Sequence, residues 1–244
     1  MQHIVALSGG KDSTAMRLWL AENEPRDYTD LITPTGDELP EMFAHWKYLE
    51  TLFGNPLTVI MESSLGGLIR QQNALPNWRQ RWCTRLLKIE PFNKYLLEHR
   101  PAVVYVGLRA DEPENVRKGN TIFGNVDGIT QRFPLRELGW GINDVYQYLE
   151  SKGITIPDRT DCARCFFQTL AEWWWLWKDN LEIWMDAEAQ EEAIGHTFRS
   201  PGRDTWPAAL VDLRREFEKG RIPRGAGQVD LMGRRGNMCR VCSL

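Results

Sequence analysis

The run His3-Ile4-Val5-Ala6-Leu7 passes directly into Ser8-Gly9-Gly10-Lys11-Asp12-Ser13, and that into Thr14-Ala15-Met16-Arg17-Leu18-Trp19-Leu20. A short β-type run, a glycine pair and apolar residues at helical spacing read as strand, tight loop and helix. Glycine lets the loop backbone turn its N–H groups inward, and a helix start adds the positive end of a dipole, so the loop is shaped to hold phosphate. Lys11 brings a full positive charge, and the hydroxyls of Ser8 and Ser13 can donate hydrogen bonds to phosphate oxygens. An ordinary glycine-serine turn would need neither the strand before it nor the helix after it.

Further strand-like runs lie at residues 30–33, 57–61 and 103–108, with helix-like stretches at 13–24, 40–53 and 84–99 between them. This alternation predicts βαβ units and an open, mostly parallel, doubly wound α/β sheet. Right-handed crossovers place the loops that follow the strands on one edge, where such sheets bind ligands. After about residue 139 the pattern changes. Residues 142–152 read as a helix, a CxxC loop follows, and 168–179 and 180–194 read as tryptophan-rich helices. A loop at 201–207, a helix at 208–219 and a Gly/Arg-rich tail close the chain. The expected organisation is an α/β unit over residues 1–165 and a helical extension with a cysteine-containing tail over 166–244. Trp173, Trp174, Trp175, Trp177 and Trp184 sit at core or interface spacing. Three adjacent tryptophans must expose part of one, which favours a partner surface or a homodimer.

With 244 residues the chain can bury a sizeable core. A net charge of −3 gives no global attraction to nucleic acid, so any such contact requires a local basic patch. No apolar run reaches membrane-spanning length and the N-terminus lacks a signal-peptide pattern, so a cytoplasmic protein is expected. In that setting five cysteines read as metal ligands or reactive thiols rather than disulfides.

The Ser8–Ser13 loop, with its short glycine-to-lysine spacing, resembles the PP-loop of the adenine nucleotide α-hydrolase superfamily. Thr35-Gly36-Asp37-Glu38-Leu39-Pro40-Glu41 looks like the TGxExPE segment of the phosphoadenosine phosphosulfate (PAPS) reductase family. Cys83-Thr84-Arg85-Leu86-Leu87-Lys88-Ile89-Glu90-Pro91 resembles that family's cysteine-lysine-proline segment. Gly107-Leu108-Arg109-Ala110-Asp111-Glu112, with Arg117 beyond it, is similar to its GxRxxES…R segment, and the stretch from Pro134 to Cys162-Ala163-Arg164-Cys165 to its last one. These matches keep the family's order over two-thirds of the chain. The resemblance implies an enzyme that binds an adenine nucleotide, either ATP or an adenylyl sulfate (PAPS or APS). Sulfonucleotide reductases attack sulfur with a C-terminal cysteine. Their relatives, including the sulfur-inserting proteins of DNA phosphorothioation, use ATP. The intact SGGKDS favours ATP, because reductases usually carry a loop without the aspartate. The reductases' ECGxH is replaced here by Cys239-Arg240-Val241-Cys242.

The resemblance also implies roles. Ser8, Gly9, Gly10, Lys11, Asp12 and Ser13 would hold the nucleotide phosphates, with Asp12 on Mg²⁺ and Lys11 offsetting charge on the leaving pyrophosphate. Thr35, Gly36, Asp37 and Glu38 are candidate ribose or metal contacts, Glu38 alternatively serving the helix that starts near Pro40. Gly107, Arg109 and Arg117 belong to the nucleotide site, and Arg109 and Lys88 can clamp an anionic substrate. Cys83, Cys162, Cys165 and Cys239 are the expected ligands of a 4Fe–4S cluster, with zinc on the two CxxC pairs as the alternative. Thr84 stands where iron–sulfur members have a further cysteine. Arg81, Arg85 and Lys88 suggest a thiolate-friendly setting for Cys83. Cys242, or else Cys239, is the expected nucleophile in a reductase, which would take a thioredoxin-like donor. In the ATP reading a sulfur donor and a nucleotide or nucleic-acid acceptor are implied. None of the four histidines falls in a motif.

Overall fold

A computed structural model describes residues 1–112 and 126–226. Among them are five strands, β1 (Gln2–Ala6), β2 (Thr29–Ile32), β3 (Thr58–Val59), β4 (Ala102–Val106) and β5 (Ile129–Arg132). They form one sheet in the order β3-β2-β1-β4-β5, with every pairing parallel. This is the doubly wound α/β sheet that the alternation predicts. β1 is central and apolar throughout its second half, with Ile4, Val5 and Ala6 buried, as a strand covered on both faces must be. The strand order reverses between β1 and β4, so the loops after these two strands flank the crevice where ligands bind in such sheets.

Helices α1 (Lys11–Asn23), α2 (Pro40–Phe53), α3 (Leu65–Gln72), α4 (Trp82–Thr84), α5 (Glu90–Glu98), α6 (Pro134–Glu137) and α7 (Ile142–Ser151) make the crossovers and their continuation. A π-helical turn, Arg85–Ile89, joins α4 to α5 just before Pro91, whose missing N–H breaks the regular ladder. One face of the sheet packs on α1, α2 and α7 through Val5, Leu7, Met16, Leu49 and Leu149. The other packs on α5 through Ile4, Leu31, Phe92 and Leu96.

Beyond residue 165 come α8 (Leu170–Asp179), α9 (Leu181–Ile194) and α10 (Leu210–Glu218). Thr169 starts α8 with reciprocal bonds to Glu172, the capping pattern that fixes a helix N-terminus. Trp173 and Trp184 are completely buried and meet edge to face at 5.9 Å. They share one core with Leu65, Leu68 and Ile69 of α3 and Leu87 of the π turn. Trp173, Trp174 and Trp184 are core residues, Trp175 and Trp177 pack against them partly buried, and the hydrophobic cluster runs across residue 165 into the α/β unit. No helix among the described residues is long and apolar enough to cross a membrane.

Candidate functional site

The loop after β1 is held from both sides. Gly9 has φ +82°, a left-handed conformation that disfavours any side chain, and a Cβ there would lie 2.7 Å from the Trp46 indole nitrogen. The Trp46 Nε1 donates to the Ser8 carbonyl at 3.2 Å, and His45 Nε2 lies 3.0 Å from the Gly9 carbonyl. Two successive carbonyls of the loop are thus turned toward α2. Within the loop, Gly10 N donates to Ser8 Oγ at 3.2 Å, and the hydroxyls of Ser8 and Ser13 lie 3.0 Å apart. Gly10 is the N-cap of α1, so the first-turn N–H groups, which have no acceptor in their own helix, and the positive dipole end border this loop. On the far side, a Cβ on Gly107 would come within 3.0 Å of the Asp12 and Ser13 backbone. Only glycine lets the end of β4 approach the start of α1 this closely.

Arg109 is the electrostatic centre of the crevice. Its guanidinium donates to Asp12 Oδ2 at 2.7 Å and to Asp111 Oδ1 at 2.8 Å, and lies 3.5 Å from Glu112 Oε1. Burial works against the Arg109 charge, but Asp12, Asp111 and Glu112 outweigh it and hold its pKa above the ordinary arginine value. Asp111 Oδ2 accepts from Ile142 N at 2.8 Å, fixing the loop to the start of α7. Lys11 Nζ lies 3.4 Å from Asp12 Oδ2. The second oxygen of Asp12, Oδ1, is buried and has no hydrogen-bond partner. A buried carboxylate oxygen left open is costly unless something fills it, and a hard cation suits it. The residues predicted from Ser8 to Ser13, with Gly107 and Arg109, are therefore brought together in one place.

The loop after β2 is used differently. Glu38 Oε1 accepts from Thr35 N at 2.6 Å and lies 2.7 Å from Thr35 Oγ1, while Oε2 accepts from Asp37 N at 3.2 Å. Glu38 thus closes its own turn. Gly36, at φ +70°, brings the turn against Ser64, the cap of α3. Asp37 is buried and accepts three hydrogen bonds from the Arg164 backbone and guanidinium. It is a structural partner of the CxxC loop. Arg164 also reaches Asp186 on α9. Burial opposes the Arg164 charge, yet Asp37 and Asp186 keep its pKa raised.

The same turn meets the cysteines. Thr35 Oγ1 lies 3.3 Å from Cys162 Sγ, Ala163 N donates to the Asp37 carbonyl, and Glu38 and Cys162 form a β-bridge. The loop then passes over the glycines, with Thr160 Oγ1 3.3 Å from where a Gly10 Cβ would stand. Cys83, Cys162 and Cys165 form no disulfide with one another. Among the described residues no three His, Cys, Asp or Glu side chains are grouped to hold a metal ion. Cys83, Cys162 and Cys165 do not by themselves fit the predicted cluster. Lys88 lies near Cys83 in the π turn, and its charge, with that of Arg81, favours the thiolate. Burial pushes the Cys83 thiol up nonetheless. Arg117, Cys239 and Cys242 lie outside the described residues.

His45 and Trp46 carry no motif and were invisible as site residues. With Met42, whose Cε would lie 3.3 Å from a Gly9 Cβ, they mark an i, i+3, i+4 face of α2, the only signal the sequence offers. Burial holds the His45 imidazole below its usual pKa, with the Gly9 carbonyl opposing only in part.

The family model for the phosphoadenosine phosphosulfate reductase domain matches residues 2–158. An uncharacterised protein of Methanocaldococcus jannaschii is 26% identical over 148 residues, 60% of this chain and 31% of its own length. A nin-region protein of Escherichia phage lambda is 26% identical over 150 residues, 48% of this chain and 51% of its own length. The chain thus spans between a third and half of these relatives. The U34-tRNA thiolase NcsA of Methanococcus maripaludis, solved with its 4Fe–4S cluster, superposes with a TM-score of 0.50 at 15% identity, covering 100% of this chain and 80% of that one. At that identity the likeness is one of fold. With the family model spanning most of the α/β unit and its sheet edge, the chain belongs to the phosphoadenosine phosphosulfate reductase domain family.

Proposed function

We propose that this chain is a PP-loop enzyme that binds ATP and cleaves it at the α-phosphate to activate an acceptor for sulfur transfer. The observation that carries the reading is Asp12, held by Arg109 through one oxygen while the other is buried and open beside the glycine loop. Mg²⁺ bound with ATP would be held by Asp12 and would neutralise pyrophosphate charge. The loop around Ser8–Ser13 receives the β- and γ-phosphates, and Lys11 offsets the charge that develops as pyrophosphate departs. An acceptor oxygen attacks the α-phosphorus, the bond to the bridging oxygen breaks, and pyrophosphate leaves with those electrons. A sulfur nucleophile then displaces AMP from the acceptor. Arg109, fixed by three carboxylates, stays rigid and charged at the crevice through both steps. Cys162 and Cys165 share one loop and are the pair that an iron–sulfur cluster or zinc would use.

Equilibrium binding tests this reading. Mg²⁺ should tighten ATP binding to the full chain and have no such effect on Asp12→Asn. Mg²⁺-independent binding of PAPS or APS, with sulfite released on adding a dithiol and no response to ATP, would overturn it in favour of a reductase.

A further inference from the structure

From residue 63 to residue 89 the chain has no carboxylate and carries Arg70, Arg79, Arg81, Arg85 and Lys88, within a protein of net charge −3. This is the local concentration of cations that contact with a polyanion requires. Its tip is an ordered turn between α3 and α4. The Asn77 side chain accepts from Arg79 N at 2.9 Å and Gln80 N at 3.0 Å. The Asn77 and Gln80 main chains also bond each other. Leu75 is buried beneath the turn, while Trp78 stands 58% exposed at its tip. The Arg79 guanidinium lies 4.7 Å from the Trp78 ring centroid, and that of Arg81 5.3 Å from the Phe167 ring. Arg85 is partly neutralised by Glu90 at 2.6 Å.

A large indole held in water on a rigid turn, flanked by arginines, offers what an unpaired strand needs: a π-face for a base and cations for its phosphates. A lipid surface would be met by several apolar side chains, whereas Trp78 is the one large apolar side chain exposed between residues 63 and 89. We propose that the Trp78–Arg81 turn is a contact surface for single-stranded nucleic acid. Trp78 stacks on a base, and Arg79 and Arg81 lie along the phosphodiester backbone. Arg81 is two residues from Cys83 and touches Phe167, two residues beyond Cys165, so a strand on this turn runs beside the thiols. The inference deepens the proposed function by giving the acceptor a chemical class, and rests on it for that link alone.

The test is fluorescence anisotropy with the full chain, using a labelled 12-nucleotide oligothymidylate, a duplex of equal length and vesicles containing anionic phosphatidylserine. The single strand should bind best, with affinity falling as salt rises. Trp78→Ala should weaken it about tenfold, the loss of one stacked base. Arg79→Gln with Arg81→Gln should reduce the salt slope by about 1.4, for two phosphates at ~0.7 each. No binding of the oligonucleotide, equal binding by Trp78→Ala, preference for the duplex, or binding to vesicles alone would each overturn the proposal. ATP binding is measured on the same samples and should be unchanged by all three substitutions. Its loss in the wild type would sink the nucleotide reading while leaving the strand result standing.

Discussion

The loops after β1 and β2 each present an aspartate at the same edge of the sheet, and the protein treats the two in opposite ways. Asp37 is enclosed and accepts from the Arg164 backbone and guanidinium, which also reaches Asp186, so that three pieces of chain distant in sequence are joined. Asp12 is anchored by Arg109 at one oxygen only, and its other oxygen is buried with nothing to meet. A buried pair whose oxygens are engaged holds a structure together, whereas an open oxygen beside a glycine loop has room for a further partner. Sequence similarity gives both aspartates to the nucleotide; geometry separates them.

The sharpest way to break this contrast is to remove Arg164. Arg164→Ala strands the buried Asp37 and should cost about 3–5 kcal/mol of stability, read by urea unfolding. A loss under 1 kcal/mol would mean that the Asp37 turn does not depend on its partner. Asp12→Asn should do the reverse, leaving the unfolding midpoint nearly unchanged while lowering ATP-dependent product formation by about 10²–10³, as expected for one lost electrostatic contact. Equal destabilisation by both variants would erase the distinction. A smaller effect comes from α2. His45→Ala frees the Gly9 carbonyl and should weaken ATP binding by about tenfold, one hydrogen bond's worth of loop positioning. Unchanged affinity would show that Trp46 alone fixes the loop.

The smallest effect is in the pH dependence of unfolding, where buried groups in the two halves of the chain act with opposite sign. Burial pushes the Glu191 carboxyl up to about 7, although it accepts from Phe198 N and Leu210 N. The folded state then holds its proton where the unfolded chain has released it. This contribution is present at low pH and lost as pH rises toward 7. His45, held below its usual value by burial, disfavours protonation of the fold, so its contribution is lost as pH falls below about 6.5. Unfolding between pH 5 and 8 should therefore lose its falling segment in Glu191→Gln and its low-pH decline in His45→Gln. Parallel profiles for wild type and both variants would contradict these directions.

What the sequence revealed follows how local each signal is. The SGGKDS loop was readable because strand, glycines and helix are adjacent, and α2 begins and ends where its pattern predicts, from Pro40 to Phe53. Strand β5, Ile-Thr-Gln-Arg, is too short and polar to show a period, and exists because β4 supplies its partner. Helix α3 contains Gly66 and Gly67, poor helix formers, and is carried by the Ser64 cap and burial of Leu65, Leu68 and Ile69. The site residues divide in the same way. Arg109 was found by motif, but its bond to Asp12 crosses 97 positions, and the Asp37–Arg164 pair crosses 127. No local pattern encodes such distances, so the different fates of the two aspartates had to come from the fold.

The central place of β1 has a consequence for how the molecule is made. Its register with β4 joins Gln2 to Ala102 and Ala6 to Val106, so the first strand waits for about a hundred residues before its second neighbour exists. Contacts this far apart in the chain form slowly. Until they form, β1 has an open hydrogen-bonding edge of the kind that recruits other chains. Ribosomes release a chain from its amino end, so the glycine loop emerges before the strand that completes it. It is finished only later, because Gly107 and Arg109 arrive with the end of β4. Nascent chains stalled before residue 102 should therefore be prone to aggregate, and the ability to hold a nucleotide should appear abruptly once that strand has cleared the exit tunnel.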